Sequence, residues 1–267
     1  MLGVGIGLIV LFASGPLLWM GLCSFKPKVE FFSVPPTVLP KQWTVENFIK
    51  LFQETHFPKM LLNSLYAAVG TVAISVTVAS LAAYSLARLK YPGKKIFVVF
   101  SLFAYLLPPI LLIIPLYAWM VSAGLLDRLE GLIITYIALC LPYSIYLLRA
   151  FFRSIPLELE EAAAVDGASP LRTLFSIVLP VSLPGIIATV VYSFNYVWNE
   201  YLFALVLLTS ESKKTFPVGL QSFITEFDIY WEYILSGSVV VSLPALFLLL
   251  ITQERLVKGW GAGALKE

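Results

Sequence analysis

Asn195, Trp198, Asn199 and Glu200 stand inside an otherwise apolar run, Val181 to Leu208. Amides and a carboxylate at such a depth are costly unless they are paired or face water, so they are candidates for function. Thr189, Tyr192, Asn195 and Asn199 follow three-and-four spacing and fall near one face of a helix. Amide and carboxylate groups beside a tryptophan suit a sugar, which offers hydroxyls and an apolar ring face. The same groups could instead bond to neighbouring helices and fix their packing, and both readings stay open. Other chemistries are poorly supplied. There is no Gly-x-x-x-x-Gly-Lys-Ser/Thr phosphate loop, and no nucleophile–base pair or metal cluster stands out. His56 is the only histidine, and Cys23 and Cys140 each lie within an apolar run, a poor basis for a metal site or a disulfide framework.

The second chemical feature is a polar interruption, Glu158 to Pro170 continuing to Leu179 and Pro180. Ser154 can cap a helix with Pro156 near its first position, and Glu158, Glu160 and Glu161 then suit the positive end of the helix dipole. Ala162, Ala163 and Ala164 are strong helix formers, and Gly167 can take the left-handed conformation that ends a helix. Ser169 and Pro170 repeat the cap-plus-proline start. Leu171, Leu174, Phe175 and Val178 give an apolar face at helical spacing, which Pro180 stops. An ordinary solvated loop helix would have the same pattern.

The elements that must position these groups are membrane helices. The chain is 59% hydrophobic and 13% charged, with a mean hydropathy of +0.89, about half the charged fraction of a soluble domain. The net charge of +2 is too small to suggest nucleic acid. The sequence predicts an all-α polytopic membrane protein of one domain, with six spans at about 2–22, 61–86, 96–121, 129–148, 181–208 and 231–251. The first run has no basic n-region and no Ala-x-Ala site, so it reads as a retained helix. The second is rich in small residues that let helices approach closely in lipid, and it offers a possible contact surface for a partner. It ends in Arg88, Lys90, Lys94 and Lys95, a positive-inside signal that puts this loop in the cytoplasm. Pro108, Pro109 and Pro115 break the third span; a kink beside a translocation path and a kink that serves packing both fit. Arg149 and Arg153 return the chain to the cytoplasm, so the segment 154–180 lies inside the cell. Trp231 and Tyr233 are placed as interface anchors, and 253–267 is a cytosolic tail.

Glu161-Ala162-Ala163, with Gly167 six residues after the glutamate and then Ile177, Leu179 and Pro180, resembles the EAA motif of ABC importer permeases. The string Glu160 to Ala168 resembles the sugar-importer branch, of the maltose and trehalose type. The likeness runs from about Ser24 to the end, through Ser24-Phe25-Lys26-Pro27, Asn63-Ser64, Ala82 to Lys94 and Trp198-Asn199-Glu200-Tyr201. It implies that Glu160, Glu161, Ala162, Ala163, Asp166, Gly167 and Pro180 form an ATPase-coupling helix-turn-helix, with Ala163 small for close docking. Tyr192, Asn195, Asn199 and Glu200 are, on their polarity and spacing within the span, the candidates to border a substrate path or gate; the recurrence of the Trp198–Tyr201 string across sugar-importer permeases favours a structural or gating role for Glu200. Thr215, Phe216, Pro217 and Gly219 resemble a loop that enters an external solute-binding protein. The Gly-rich end from Gly259 to Lys266 resembles one that lies along an ATPase dimer interface. The resemblance further implies a basic leader ahead of the first helix, which places the true start upstream of Met1.

The function expected is the permease subunit of an ATP-driven sugar importer in a bacterial or archaeal plasma membrane, with both termini cytoplasmic. The expected partners are a second homologous permease, two ATPase subunits that carry ATP and Mg, an external solute-binding protein and membrane lipid. The alternatives are a permease for another solute, such as glycerol phosphate, and a membrane-embedded enzyme. The spans show no embedded Arg or Lys of the kind an anionic cargo would call for.

Overall fold

The computed structural model describes residues 2–264. In chain order the helices are α1 (Leu2–Ser24), α2 (Glu46–Glu54), α3 (Phe57–Arg88), α4 (Lys94–Leu106), α5 (Ile113–Ser122), α6 (Leu129–Ser154), α7 (Glu158–Val165), α8 (Pro170–Thr173), α9 (Leu179–Val181), α10 (Leu183–Trp198), α11 (Leu202–Leu207), α12 (Phe216–Gln221) and α13 (Trp231–Ala264). Among the described residues the only β pairing is one bridge, Ile224 to Ile229. Among the described residues four helices are long and apolar enough to cross a membrane, or up to six if each of two bent pairs is one span. The described residues group into two compact units: those within 1–63 and 210–246, and those within 64–209 and 247–267.

The spans differ from expectation in physically readable ways. The third is two helical pieces bent by 101°. Leu107 and Pro108 each precede a proline, which disfavours the helical region, and both are extended, with ψ of 129° and 125°. The expected fifth helix, 181–208, breaks after Trp198 and resumes at Leu202. The last helix passes the expected end at Ile251 and continues to Ala264, because leaving the apolar run does not remove the backbone's reason to stay helical. Leu265, Lys266 and Glu267, the end of the expected tail, lie outside the described residues.

In the unit of residues 64–209, the small residues of α3 are turned inward. Ala67, Ala68, Thr71, Ser75, Ala79 and Ala83 are buried, and a side chain at Gly70 would press on Ile133 of α6. This face, expected as a possible contact for a partner subunit, is therefore spent inside the chain, where tight packing replaces the hydrophobic effect lost in lipid. Helix α10 packs on α6 by the same means: a Cβ at Gly185 would overlap the Phe151 ring. Ser144 and Ser193 lie within hydrogen-bonding distance, 3.3 Å, across the same pair.

The other unit is organised by side chains that grip loops. Asn47 donates to the carbonyls of Ser24 and Lys26 at 2.9 and 2.8 Å, tying α2 to the end of α1. Asn63 donates to Ser212 and Lys214 at 3.0 Å each, so the Asn63-Ser64 pair has a local task. Glu30 accepts from the Thr37 hydroxyl and the Lys41 amide; the Thr37 bond is the first reason its carboxyl is held below the usual range. Lys28 pairs with Glu232 at 3.1 Å and Asp228 at 3.7 Å and lies over the Tyr230 ring.

The α6–α10 contact gives a direct test. Gly185→Val should lower the thermal midpoint of the purified protein, with a cost of about 1–3 kcal/mol for overpacking. Adding Phe151→Ala should recover part of the loss. An unchanged midpoint in the single variant would contradict the packing.

Candidate coupling and translocation sites

The polar interruption folds as two short helices around a tight turn, all within one unit. Its start differs from the sequence reading. Ser154 is the last residue of α6, and its hydroxyl donates to the Phe151 carbonyl at 2.7 Å. Ile155 is extended, as a residue before proline must be, and α7 opens only at Glu158. The closing turn is a Schellman arrangement: Gly167 N–H reaches the Ala164 carbonyl at 3.0 Å, and Ala168 N–H reaches Ala163 at 2.9 Å. Gly167 has φ of 79°, and a Cβ there would meet nothing within 4 Å. Its requirement is conformational rather than spatial. Ser169 then caps α8, accepting from Arg172 N–H at 3.4 Å, with Pro170 at the first helical position.

Leu174 to Val178 widens into a π turn, with Leu179 N–H bonded to the Leu174 carbonyl. Pro180 has no N–H for the Ser176 carbonyl, and its ring would crowd that group in a straight helix, so the wider turn relieves the conflict. The widening also resolves the expected apolar face into two. Leu174 and Val178 are buried against Ala79, Ala83, Leu148 and Phe152, whereas Leu171 and Phe175 point outward.

Helix α7 is likewise two-faced. Glu160 is only 8% exposed. Its carboxylate accepts from Arg88 Nε and from the Tyr84 hydroxyl at 3.1 Å, while Arg88 also donates to the Ile155 carbonyl at 2.8 Å. The end of α3 therefore holds α7 through a buried ion pair. Ala163 is buried as well, on the same inner side of the helix as Glu160. Glu161, Ala162 and Asp166 are exposed, and Val165 is 88% exposed. With Leu171 and Phe175 they leave an outward surface that combines acids with large apolar groups. Pro180 is exposed and acts by shaping the turn.

The second site is the break between α10 and α11. Glu200 lies in the gap, and its carboxylate accepts from Phe203 N–H at 2.9 Å, Ala204 N–H at 3.2 Å and the Tyr136 hydroxyl at 2.7 Å. It thus supplies partners to amides at the start of α11 that a break leaves without helical acceptors. Asn199 donates to the Asn195 carbonyl at 2.8 Å, closing the end of α10, and Asn195 donates to Val191 at 2.9 Å. Thr189 donates to Gly185 at 2.8 Å. The polar face read from spacing is present, but its donors turn back on their own helix. Glu200 in this structure bonds to α11 and to Tyr136 of α6.

Tyr192 belongs to a row of tyrosines that the sequence did not reveal as a group. Tyr105, Tyr143, Tyr192 and Tyr196 succeed one another with ring centroids 5.0, 4.1 and 6.1 Å apart. The i to i+4 spacing of Tyr192 and Tyr196 was visible; their meeting with Tyr105 and Tyr143 needs the fold. Tyr136 and Arg88 carried no signal as partners of the two glutamates, since 64 and 72 residues separate the pairs.

In the other unit, Thr215, Phe216 and Gly219 are buried and Pro217 is half-buried. A Cβ at Gly219 would overlap Met60. The element that protrudes is the hairpin closed by the Ile224–Ile229 bridge, with Phe227 at its tip 93% exposed.

Comparison with known proteins adds the family. The model described as "Binding-protein-dependent transport system inner membrane component" matches residues 75–260. The permease protein SugB of the trehalose transport system of Mycobacterium tuberculosis is 34% identical over 261 residues, covering 97% of this chain and 94% of its own. The permease protein MalG of the trehalose/maltose transport system of Thermococcus litoralis is 32% identical over 266 residues, covering 98% and 95%. Among solved structures, a chain of a bacterial ABC transporter involved in the import of the acidic polysaccharide alginate has a TM-score of 0.83 at 23% identity, covering 94% of each chain. That likeness is one of fold.

Glu200→Ala should destabilise the protein by about 1–3 kcal/mol, since it strips a half-buried cap and the partner of the buried Tyr136. Glu200→Gln, which keeps an acceptor, should lose less. The thermal midpoints of the two variants check the order. Equal, undiminished midpoints would return Glu200 to the list of cargo contacts.

Proposed function

This chain belongs to the family of binding-protein-dependent transport system inner membrane components, and from that premise we propose that it is the permease subunit of an ATP-driven importer of a neutral sugar. The family is one of membrane permeases, and the apolar helices make this a multi-pass membrane protein. The relatives act in trehalose and trehalose/maltose transport, which supports a di- or oligosaccharide cargo. Glu200, Asn195 and Asn199 bring no base to the polar break, which suits an uncharged solute better than glycerol phosphate. Nor do they offer catalytic groups with free donors, which disfavours an embedded enzyme.

The observation that carries the reading is the two-faced α7. Its inner face is locked to α3 through Glu160, Arg88 and Tyr84, and its outer face presents Glu161 and Val165, with Leu171 of α8 and Phe175 of the π turn exposed after it. A helix exposed in this way needs a partner for its large apolar groups. The partner is a cytosolic ATPase that binds ATP and Mg, two copies of which serve this chain and a second, homologous permease. Motion of the ATPase pair would shift the helices between inward- and outward-facing arrangements. Both termini are cytoplasmic, following Arg88, Lys90, Lys94 and Lys95 at one loop and Arg149 and Arg153 at the next.

The row Tyr105, Tyr143, Tyr192 and Tyr196 offers ring faces and hydroxyls to a sugar, and Asn195 and Asn199 lie on the same helix as two of them. Glu200 serves as the brace that keeps the break open. On the external side, contact with a solute-binding protein passes from the buried Thr215, Phe216 and Gly219 to the hairpin tip at Phe227, with Pro217 and its neighbours as the packed base.

The test is uptake and ATP hydrolysis by the assembled complex in proteoliposomes. Glu161→Lys and Val165→Glu should reduce uptake at least tenfold while the protein remains inserted, and should leave hydrolysis unresponsive to the sugar-loaded binding protein. Gly167→Pro, which destroys the turn, should do the same. Normal uptake in all three would refute the coupling assignment.

A further inference from the structure

Five bases converge where α3 ends, α4 begins and α6 ends. Lys94 and Lys95 of α4 and Arg149 and Arg153 of α6 line one hollow of about 490 Å³, together with Val98 and Val99. Lys90 stands beside it in the connecting loop and acts on Lys94 as a like charge, as do Arg149 and Arg153. The bases are oriented and not neutralised. Lys94 donates to the Leu89 carbonyl at 2.9 Å and Arg149 to Leu86 at 3.3 Å, both near the end of α3. Among the described residues none of the five makes an ion pair, and the nearby Glu160 is already held by Arg88. Positive-inside bias explains basic residues near this surface, but not their convergence from two helices and a loop on one concavity.

The hollow does not end at the charges. It shares Lys95 and Val99 with a second hollow of about 410 Å³, whose other walls are Ile96, Phe100 and Phe103. These side chains belong to α4, a helix with no buried residue and an almost wholly apolar sequence after Lys95. A concentrated positive charge thus opens onto an apolar channel along a helix of a membrane protein. A small anion would satisfy only the first part. A phosphate diester carrying acyl chains would satisfy both, and basic pockets between membrane helices on the cytoplasmic side are suited to such headgroups.

We infer that this concavity is a binding site for an anionic phospholipid. Its phosphate sits among Lys94, Lys95, Arg149 and Arg153, and one acyl chain lies along Ile96, Val99, Phe100 and Phe103. The lipid would relieve the repulsion among the bases and bridge α4 to α6. This inference rests on charge and shape and is independent of which solute is carried.

The experiment uses the purified complex of this chain with its partner subunits, delipidated in mild detergent and titrated with dioleoyl phosphatidylglycerol or dioleoyl phosphatidylcholine. Retained lipid is counted by native mass spectrometry. The wild type is expected to retain phosphatidylglycerol at least tenfold more tightly than phosphatidylcholine, and millimolar inorganic phosphate should not displace it. Lys95→Gln/Arg153→Gln removes two exposed bases and should weaken phosphatidylglycerol binding about tenfold or more. Each single variant should weaken it several-fold, which keeps the test open if the double variant assembles poorly. Lys41→Gln/Lys50→Gln, with the same loss of charge in the other unit, should bind as the wild type does. Four results would overturn the inference: equal retention of the two lipids, equal retention by the two double variants, displacement by phosphate, or no retained lipid because a partner chain fills the hollow.

Discussion

The ion pair between Arg88 and Glu160 is what fastens an exposed helical hairpin to the long helix before it. Both side chains are largely buried, at 13% and 8% exposure. A buried pair of this kind adds little net stability compared with apolar residues of the same volume, but removal of one partner strands a charge and costs about 3–5 kcal/mol. Its value is therefore one of position. With Tyr84 on the second carboxylate oxygen and the Ile155 carbonyl on the same guanidinium, it fixes α7 to the last turn of α3. The core of Ala79, Ala83, Leu148, Phe152, Leu174 and Val178 continues this attachment into α6.

A second constraint governs the helices inside the lipid. Hydrocarbon offers no hydrogen bonds, so every interruption must satisfy its own backbone. The break after Trp198 does so with side chains from its own sequence: Asn199 serves the end of α10 and Glu200 the start of α11, with Tyr136 reaching the same carboxylate from α6. The bend before α5 uses a different device. Two successive prolines remove donors that would otherwise need acceptors, and the short turn Pro109–Leu112 restarts the helix. The two breaks thus differ in kind. One is built from polar groups that cost energy to bury, the other from residues that simply lack a donor.

Much of this was legible in the sequence because its signals are local. Gly167, the Ser169-Pro170 start and the run of glutamates each depend on neighbours within a few residues, and the helical turn follows from them. Ser154 misled because a serine at a helix end can bond backward as easily as forward; the choice depends on where Pro156 forces the chain to be extended. Leu171, Leu174, Phe175 and Val178 share one apolar face by regular spacing, yet only Leu174 and Val178 are buried, and the π turn that begins at Leu174 breaks that spacing. Thr215 and Phe216 resemble a loop that enters an external protein, yet both are buried, where Gly219 packs on Met60 and Asn63 grips the residues just before them. Arg88 was visible as one of a basic cluster but not as the partner of Glu160, and Tyr136 and Tyr143 carried no signal at all, since no local pattern marks a side chain that meets a group on another helix.

Glu160 and Glu161 are adjacent in sequence and have opposite surroundings, a consequence of the roughly hundred-degree step between successive helical residues. That step allows one short helix to be gripped from inside and touched from outside at the same level. A partner can shift the membrane helices only through a difference in its contacts between their two arrangements. For that difference to reach α3 and α6, α7 must move with them and not bend away, which is the condition the buried side of the helix supplies. An α7 that kept Glu161 but lost Glu160 would still present a docking surface, yet much of the work done on it would be dissipated in local motion. Under the proposed coupling role, the two glutamates divide the work: Glu160 holds the helix from inside, and Glu161 faces outward.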